Sequence, residues 1–177
     1  MTRISSQLTF CSPDRILRKT VVERDDQNVI TRLFSLDDTL AESSQTLFFD
    51  GILSSEIVSL KQSISPDQIE KLIKNYEYLD LSAEFPTFKI SDNKNRLLLD
   101  FGTNSTTEIN SKLARLVQVN SKISIFDLIA SCVFYPALII GLPAELALNR
   151  STGLLLWENA DLINKLVTVN TKIREVS

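Results

Sequence analysis

The sequence predicts an α+β fold, and three observations carry that expectation. Strand-like segments crowd the two ends of the chain. Helix-start signals and apolar positions at helical spacing fill the middle. The apolar run RLLLD, Arg96 to Asp100, passes into the small polar turn of FGTNST and then into a helix-like stretch, as a strand does on entering a helix. The N- and C-terminal strands are therefore expected to share one sheet system.

Taken in order, residues 1–53 read as β. ISSQLTF, RILRKTVVER and NVITRLFSL show partial alternation, and DDQN, Asp25 to Asn28, joins the second and third as a hairpin. After the loop DDTLAESS, QTLFFDGIL reads as a fourth strand, with Gly51 at a bulge or tight bend. SEIVSLKQ, Ser55 to Gln62, reads as a buried strand. In SPDQ, Ser65 is an N-cap, Pro66 takes the first helical position and Gln68 the third, a capping box with proline where helices tolerate it. Ile69, Leu72, Ile73 and Tyr76 follow at helical spacing. Phe85 to Ile90 is a short strand candidate, DNKN a turn and RLLLDF a further strand. Ser105 with Glu108 makes a second capping box, before an apolar face of Ile109, Leu113, Leu116 and Val117. Ser124 with Asp127 makes a third and opens a helix through Phe134. Pro136 starts a short further helix that Gly141 ends. GLLLWE, LVTV and TKIREV return to strand signals.

Composition narrows the chemistry. The chain has 177 residues, 44% apolar and 23% charged, which suits one globular domain or a domain with a small lobe. The net charge is −3 and no Lys/Arg cluster occurs, so no nucleic-acid partner is expected. The uncharged run from Leu128 to Leu142 contains Pro136 and is shorter than the roughly 20 residues a membrane-spanning helix needs. It reads as buried helix, and no membrane association is expected. MTRISSQLTF lacks the apolar stretch of a signal peptide. Cys11 and Cys132 each stand alone, which fits free thiols in a reducing compartment, with one disulfide as the alternative. The expected location is cytoplasmic. Histidine is absent, which removes imidazole-based zinc sites, Ser-His-Asp and Cys-His triads. Metal chemistry would have to rest on carboxylates, which favours Mg, Ca or Mn; no cofactor is expected.

Three stretches together resemble the metal-dependent amidohydrolase superfamily, in particular its cytosine-deaminase-like and chlorohydrolase-like members. The first is TLFFDGILSSEIVSLKQS. In the family a similar strand leads through a Pro-Gly turn to a His-x-His metal pair; Ser55 and Glu56 stand at the turn here, and Lys61 and Ser63 at the metal positions. The second is LLLDFGTNST, where Asn104 stands at the position of the family's metal-binding, proton-transferring aspartate. An amide keeps the shape but loses the charge and the basicity. The third is ISIFDLIASCVFYPALIIGLP followed by TGLLLWENADLINKLVTVNTKIREV, similar to the family's closing helices and returning strands. The resemblance implies a composite β-sandwich built from residues 1–54 and 150–177, with a reduced α/β remnant of a TIM barrel over residues 55–149. A βαβ unit takes about 30 residues or more, so the family's six intervening units do not fit into the roughly forty residues between Ser63 and Asn104.

The leading expectation is thus a non-catalytic amidohydrolase-like protein, a pseudoenzyme acting as an interaction, regulatory or scaffold module. Loss of the barrel should bare apolar surface on Ile57, Val58, Leu60 and Leu97 to Leu99, which a homodimer or a protein partner would cover. The first alternative is a small-molecule binding module using a cleft near Asn104 and Lys61. The second is a hydrolase whose metal rests on carboxylates such as Asp50, Glu56 and Asp100. Residue by residue, Asn104 reads as a turn-stabilising amide or a ligand contact, Lys61 as a solvated strand-end lysine or an activated amine. Asp100 reads as a surface or pairing acid or an oxygen ligand. Cys132 and Trp157 read as core.

Overall fold

The computed structural model describes residues 1–36, 46–82, 96–120 and 122–176. The loop DDTLAESS, the strand candidate Phe85 to Ile90 and the turn DNKN lie outside the described residues.

The fold is α+β. The first four strands are β1 (Thr2–Ser12), β2 (Arg15–Arg24), β3 (Ile30–Ser35) and β4 (Thr46–Ser55). Two short helices follow, α1 (Leu60–Ser63) and α2 (Pro66–Leu72), and then strands β5 (Tyr76–Asp80) and β6 (Arg96–Asp100). Helix α3 (Thr106–Val119) precedes a helical run made of α4 (Ile125–Ile129), a π-helical turn (Ala130–Phe134) and α5 (Tyr135–Ile139). Strands β7 (Leu154–Glu158) and β8 (Lys172–Val176) close the chain.

Both chain ends do share a sheet. Its six strands run β3-β2-β1-β4-β7-β8, while β5 and β6 form a separate parallel pair. β1 is antiparallel to β2 and parallel to β4; β4, β7 and β8 are antiparallel neighbours. The DDQN hairpin forms as its residues require. Asp25 Oδ1 accepts the backbone N–H groups of Gln27 and Val29, and Asn28 takes a left-handed φ of 60°.

The six-stranded sheet curls on itself. Ile4, Val22, Ile30, Leu53, Leu156 and Val176, drawn from all six strands, form one buried cluster on its inner face. The curl brings the two flanks together: Ile30 donates to Arg150 O at 2.9 Å and Asn149 donates to Ile30 O at 2.8 Å. Gly51 makes the bend in β4. Against β1 the ladder steps from Ser6–Phe49 to Leu8–Ile52, which places the extra residue at Asp50–Gly51. Gly51 has φ 138°, and a Cβ there would meet the carbonyl oxygen of Trp157 at 2.3 Å. Trp157 itself is fully buried and donates its indole N–H to Ser54 Oγ at 2.8 Å.

The outer face carries the main core. Phe10, Ile52, Trp157 and Ile173 of the sheet meet Leu113 and Leu116 of α3, Leu128 of α4 and Leu97 and Leu99 of β6. Leu98 points the other way, into a small cluster with Leu60 and Ile69. A strand buried on both sides has no polar face to show, which is why β6 reads as uninterrupted leucine.

Four expectations are corrected. Ser55 to Gln62 is not a strand: β4 ends at Ser55 and a helical turn begins at Leu60. Pro136 supplies part of the reason. It has no N–H to give the Cys132 carbonyl, and the N–H of Val58 fills that vacancy at 3.1 Å instead of joining a ladder. The same missing donor accompanies the π turn, in which Tyr135 N–H reaches back to Ala130 O. Second, Tyr76 is not the last position of a helix but the first residue of β5, because α2 stops at Leu72. Third, LVTV is a turn stapled by Thr168 and Thr171 side chains, with only isolated bridges at Leu166. Fourth, the apolar residues expected to be bare are covered within the chain: Ile57, Leu60 and Leu97 to Leu99 are all buried, and Val58 is half-buried. The helical layer α3–α5 supplies much of that covering.

Replacing Gly51 by alanine combines a backbone conformation that L side chains avoid with a main-chain clash. Gly51→Ala is expected to lower unfolding free energy by about 3 kcal/mol in a urea titration.

Candidate functional site

The corner where β6 meets α3 is organised by Asp100. This carboxylate is 1% exposed and accepts four hydrogen bonds. Oδ1 takes Ser59 Oγ at 2.7 Å and the N–H of Gly102 at 2.8 Å. Oδ2 takes the N–H of Lys61 at 2.9 Å and the Tyr78 hydroxyl at 3.1 Å. A buried charge is tolerated when its lone pairs are filled in this way. Asp100 also serves as the N-terminal cap of α1, since the N-cap residue Ser59 makes no cap bond of its own and spends its hydroxyl on Asp100. Burial, the Asp100 charge and the hydrogen bond to it all push the Tyr78 phenol upward, so Tyr78 remains a neutral donor.

A second, more exposed layer lies over the first. Lys61 Nζ pairs with Asp80 and donates to Ser82 Oγ at 2.9 Å. Asp80 Oδ1 accepts the N–H of Ser82 at 2.9 Å. Gly102 sits close beneath Ser82, where a Cβ would come within 2.7 Å of the serine's own. Burial pushes the Asp80 carboxyl up, but hydrogen bonds from Lys61 and Ser82 outweigh it and hold the group below its usual value. Ser63 is satisfied locally, donating to Ser59 O at 2.7 Å.

Asn104 faces elsewhere. It is exposed and lines a cavity of about 410 Å³ between one end of the curled sheet and the first turn of α3. Glu56, Thr106 and Glu175 share that wall. Glu56 accepts the N–H of Gly153 through Oε1. Arg24 lines the same cavity although only 2% exposed; it donates through Nη2 to Val176 O at 3.0 Å, and its Nε is buried without a partner. Burial lowers the Arg24 pKa from its ordinary value.

The residues singled out from the sequence are therefore split. Asp100, Lys61 and Ser63 belong to the corner; Glu56 and Asn104 belong to the cavity; Asp50 is exposed on β4. Lys61 lines a different, largely apolar depression beside Pro66 and Ile69, so among the described residues Asn104 and Lys61 line separate cavities. Among the described residues no group of three Cys, Asp or Glu side chains is placed to hold a metal. Asp100 is also not the surface acid that one sequence reading made it. Sequence reasoning missed Arg24, Ser59, Tyr78 and Asp80. The one signal available was YEYLD, an alternating aromatic stretch that ends in an acid, as RLLLD does. Both cysteines are buried and free. Among the described residues no helix is long and apolar enough to cross a membrane. No protein-family model, curated protein or solved structure matches the chain.

Asp100→Asn turns one acceptor into an amide that faces a donor. It is expected to cost about 3 to 5 kcal/mol of stability by denaturant unfolding. Asn104→Ala, at an exposed position, is expected to stay within about 0.5 kcal/mol of the parent. The folded pKa of Asp80 lies below its unfolded value, so its contribution is present above about pH 4 and is lost as the pH falls through the lower folded value. Unfolding free energy measured against pH should accordingly fall more steeply below about pH 4 in the parent than in Lys61→Met.

Proposed function

We propose that the protein is a non-catalytic amidohydrolase-like protein, a pseudoenzyme whose fold serves interaction, regulation or scaffolding rather than turnover. On this reading the curled six-stranded sheet is the composite sandwich of residues 1–54 and 150–177, and residues 55–149 are what remains of the barrel. The sharing of one sheet by both chain ends supports that descent. The observation that carries the functional reading is the state of Asp100. It is the acid at the strand-to-helix corner, and protein donors occupy both of its oxygens. A carboxylate whose oxygens are filled by the fold is poorly placed to hold a metal. Elemental analysis with calorimetric titration of zinc and manganese tests this: the expected result is no stoichiometric metal and no binding tighter than about 1 mM. Tight stoichiometric metal that Asp100→Asn abolishes would overturn it and restore the carboxylate-metal hydrolase.

A protein partner or a second copy remains part of the proposal, on a different surface from the one first expected. Leu47 and Phe48 of β4 are 49% and 58% exposed, and β7 pairs only with the Ile52–Ser55 part of that strand. Two unpaired, buried thiols support a reducing, cytoplasmic setting. Sedimentation at micromolar concentration is expected to show a dimer that Phe48→Glu dissociates.

The cavity favours a second reading, a small-molecule binding module. About 410 Å³ lies within the usual range for ligand pockets, and Asn104 is on its wall.

A further inference from the structure

The cavity beside Asn104 is lined by charges of both signs that do not pair with one another. Arg24 is almost wholly buried, yet among the described residues its guanidinium makes one hydrogen bond, to a main-chain carbonyl, and no ion pair. A guanidinium has five N–H donors, and a buried cation without an anion is costly. Glu175 is exposed and makes no ion pair within the described residues; Glu56 commits one oxygen to Gly153. The first turn of α3 adds Thr106 and Ile109 to the wall, and its N-cap Ser105 places no side-chain oxygen on the helix's free N–H groups. Ile57, Leu154 and Val176 supply apolar surface.

We propose that this cavity binds a small zwitterion, an amino acid with an apolar side chain. Its carboxylate meets Arg24 and the uncapped start of α3, its ammonium meets Glu175 and the second oxygen of Glu56, and its side chain lies on Ile57, Ile109 and Leu154. A simple anion fits less well, because the two glutamates outnumber the one arginine on the wall. A simple cation would leave Arg24 unpaired. The inference rests on the reading of the cavity as a ligand site and names the class of ligand it takes.

Calorimetric titration with leucine tests it, with leucinamide and N-acetylleucine as probes lacking the carboxylate or the ammonium. Leucine is expected to bind with a Kd of about 1 mM or tighter. Each blocked analogue is expected to bind at least about tenfold more weakly, the loss of one charge-assisted contact. Glu175→Gln and Glu56→Gln, at exposed positions, should weaken leucine by a similar factor while leaving the melting temperature of the free protein nearly unchanged. Arg24→Lys should weaken it as well; if that variant fails to fold, the two glutamate variants still decide. Equal binding of leucine and N-acetylleucine, or indifference to Glu175→Gln, overturns the proposal. So does the absence of heat with apolar amino acids up to about 10 mM. In that last case a thermal-shift panel of other metabolites separates the two readings. A hit that Asn104→Trp abolishes keeps the cavity as a ligand site and overturns only the zwitterion; no hit overturns both.

Discussion

A single buried carboxylate holds the middle of this protein together. Asp100 draws Ser59 and Lys61 from one segment, Tyr78 from β5 and Gly102 from its own turn onto two oxygens. Each donor is worth little alone, but removing the acceptor strands all of them in a dry environment, so the cost of loss far exceeds the sum of small gains. The helical turn at Leu60, the pairing of β5 with β6 and the path into α3 all begin from atoms bonded to this side chain. The four donors fill the lone pairs of both carboxylate oxygens, so the side chain is committed to the fold.

The second constraint is the curl of the six-stranded sheet. A sheet whose inner face packs on itself needs no helix on that side and can devote its outer face to α3, α4 and α5. Gly51 permits the bend, and Trp157 fills the space beside it. The curl also carries Arg24 of β2 to Val176 of β8, strands that are not neighbours in the ladder. The cavity at that end is thus a product of the closure, and charges distant in sequence share its wall. The helical layer also covers β6 and the segment after β4, so both are buried by their own chain.

Much of this architecture was legible in the sequence. Alternation and hairpin chemistry located β1 to β4, the Gly51 bulge and β7; apolar spacing located α3 and its buried face. The failures have physical causes. Ser55 to Gln62 is apolar enough for a strand, but its N–H groups go to Cys132 and Asp100, partners far away in sequence. Tyr76 sits at a position that continues a helical stripe and equally opens an aromatic strand, and pairing with β6 decides the matter. Ser105 with Glu108 has the spacing of a capping box, yet Ser105 makes no cap bond. At the site level, Asp100 and Asn104 were visible as residues at a strand end, whereas the division between corner and cavity was not. Arg24 gave no signal, because a buried arginine in a strand is defined by what surrounds it in space.

Native-state amide hydrogen exchange reads the central claim most directly. If Asp100 holds the corner, the amides of Lys61 and Gly102 exchange only through near-global unfolding, while the exposed amide region around Asn104 exchanges early. In Asp100→Ala both protected amides should then fall to the level of local opening. Rapid exchange of Lys61 and Gly102 in the unmodified protein, at a rate like that of Asn104, would contradict the account. The Asp100 corner would then be an open and adaptable site instead of a fixed structural one.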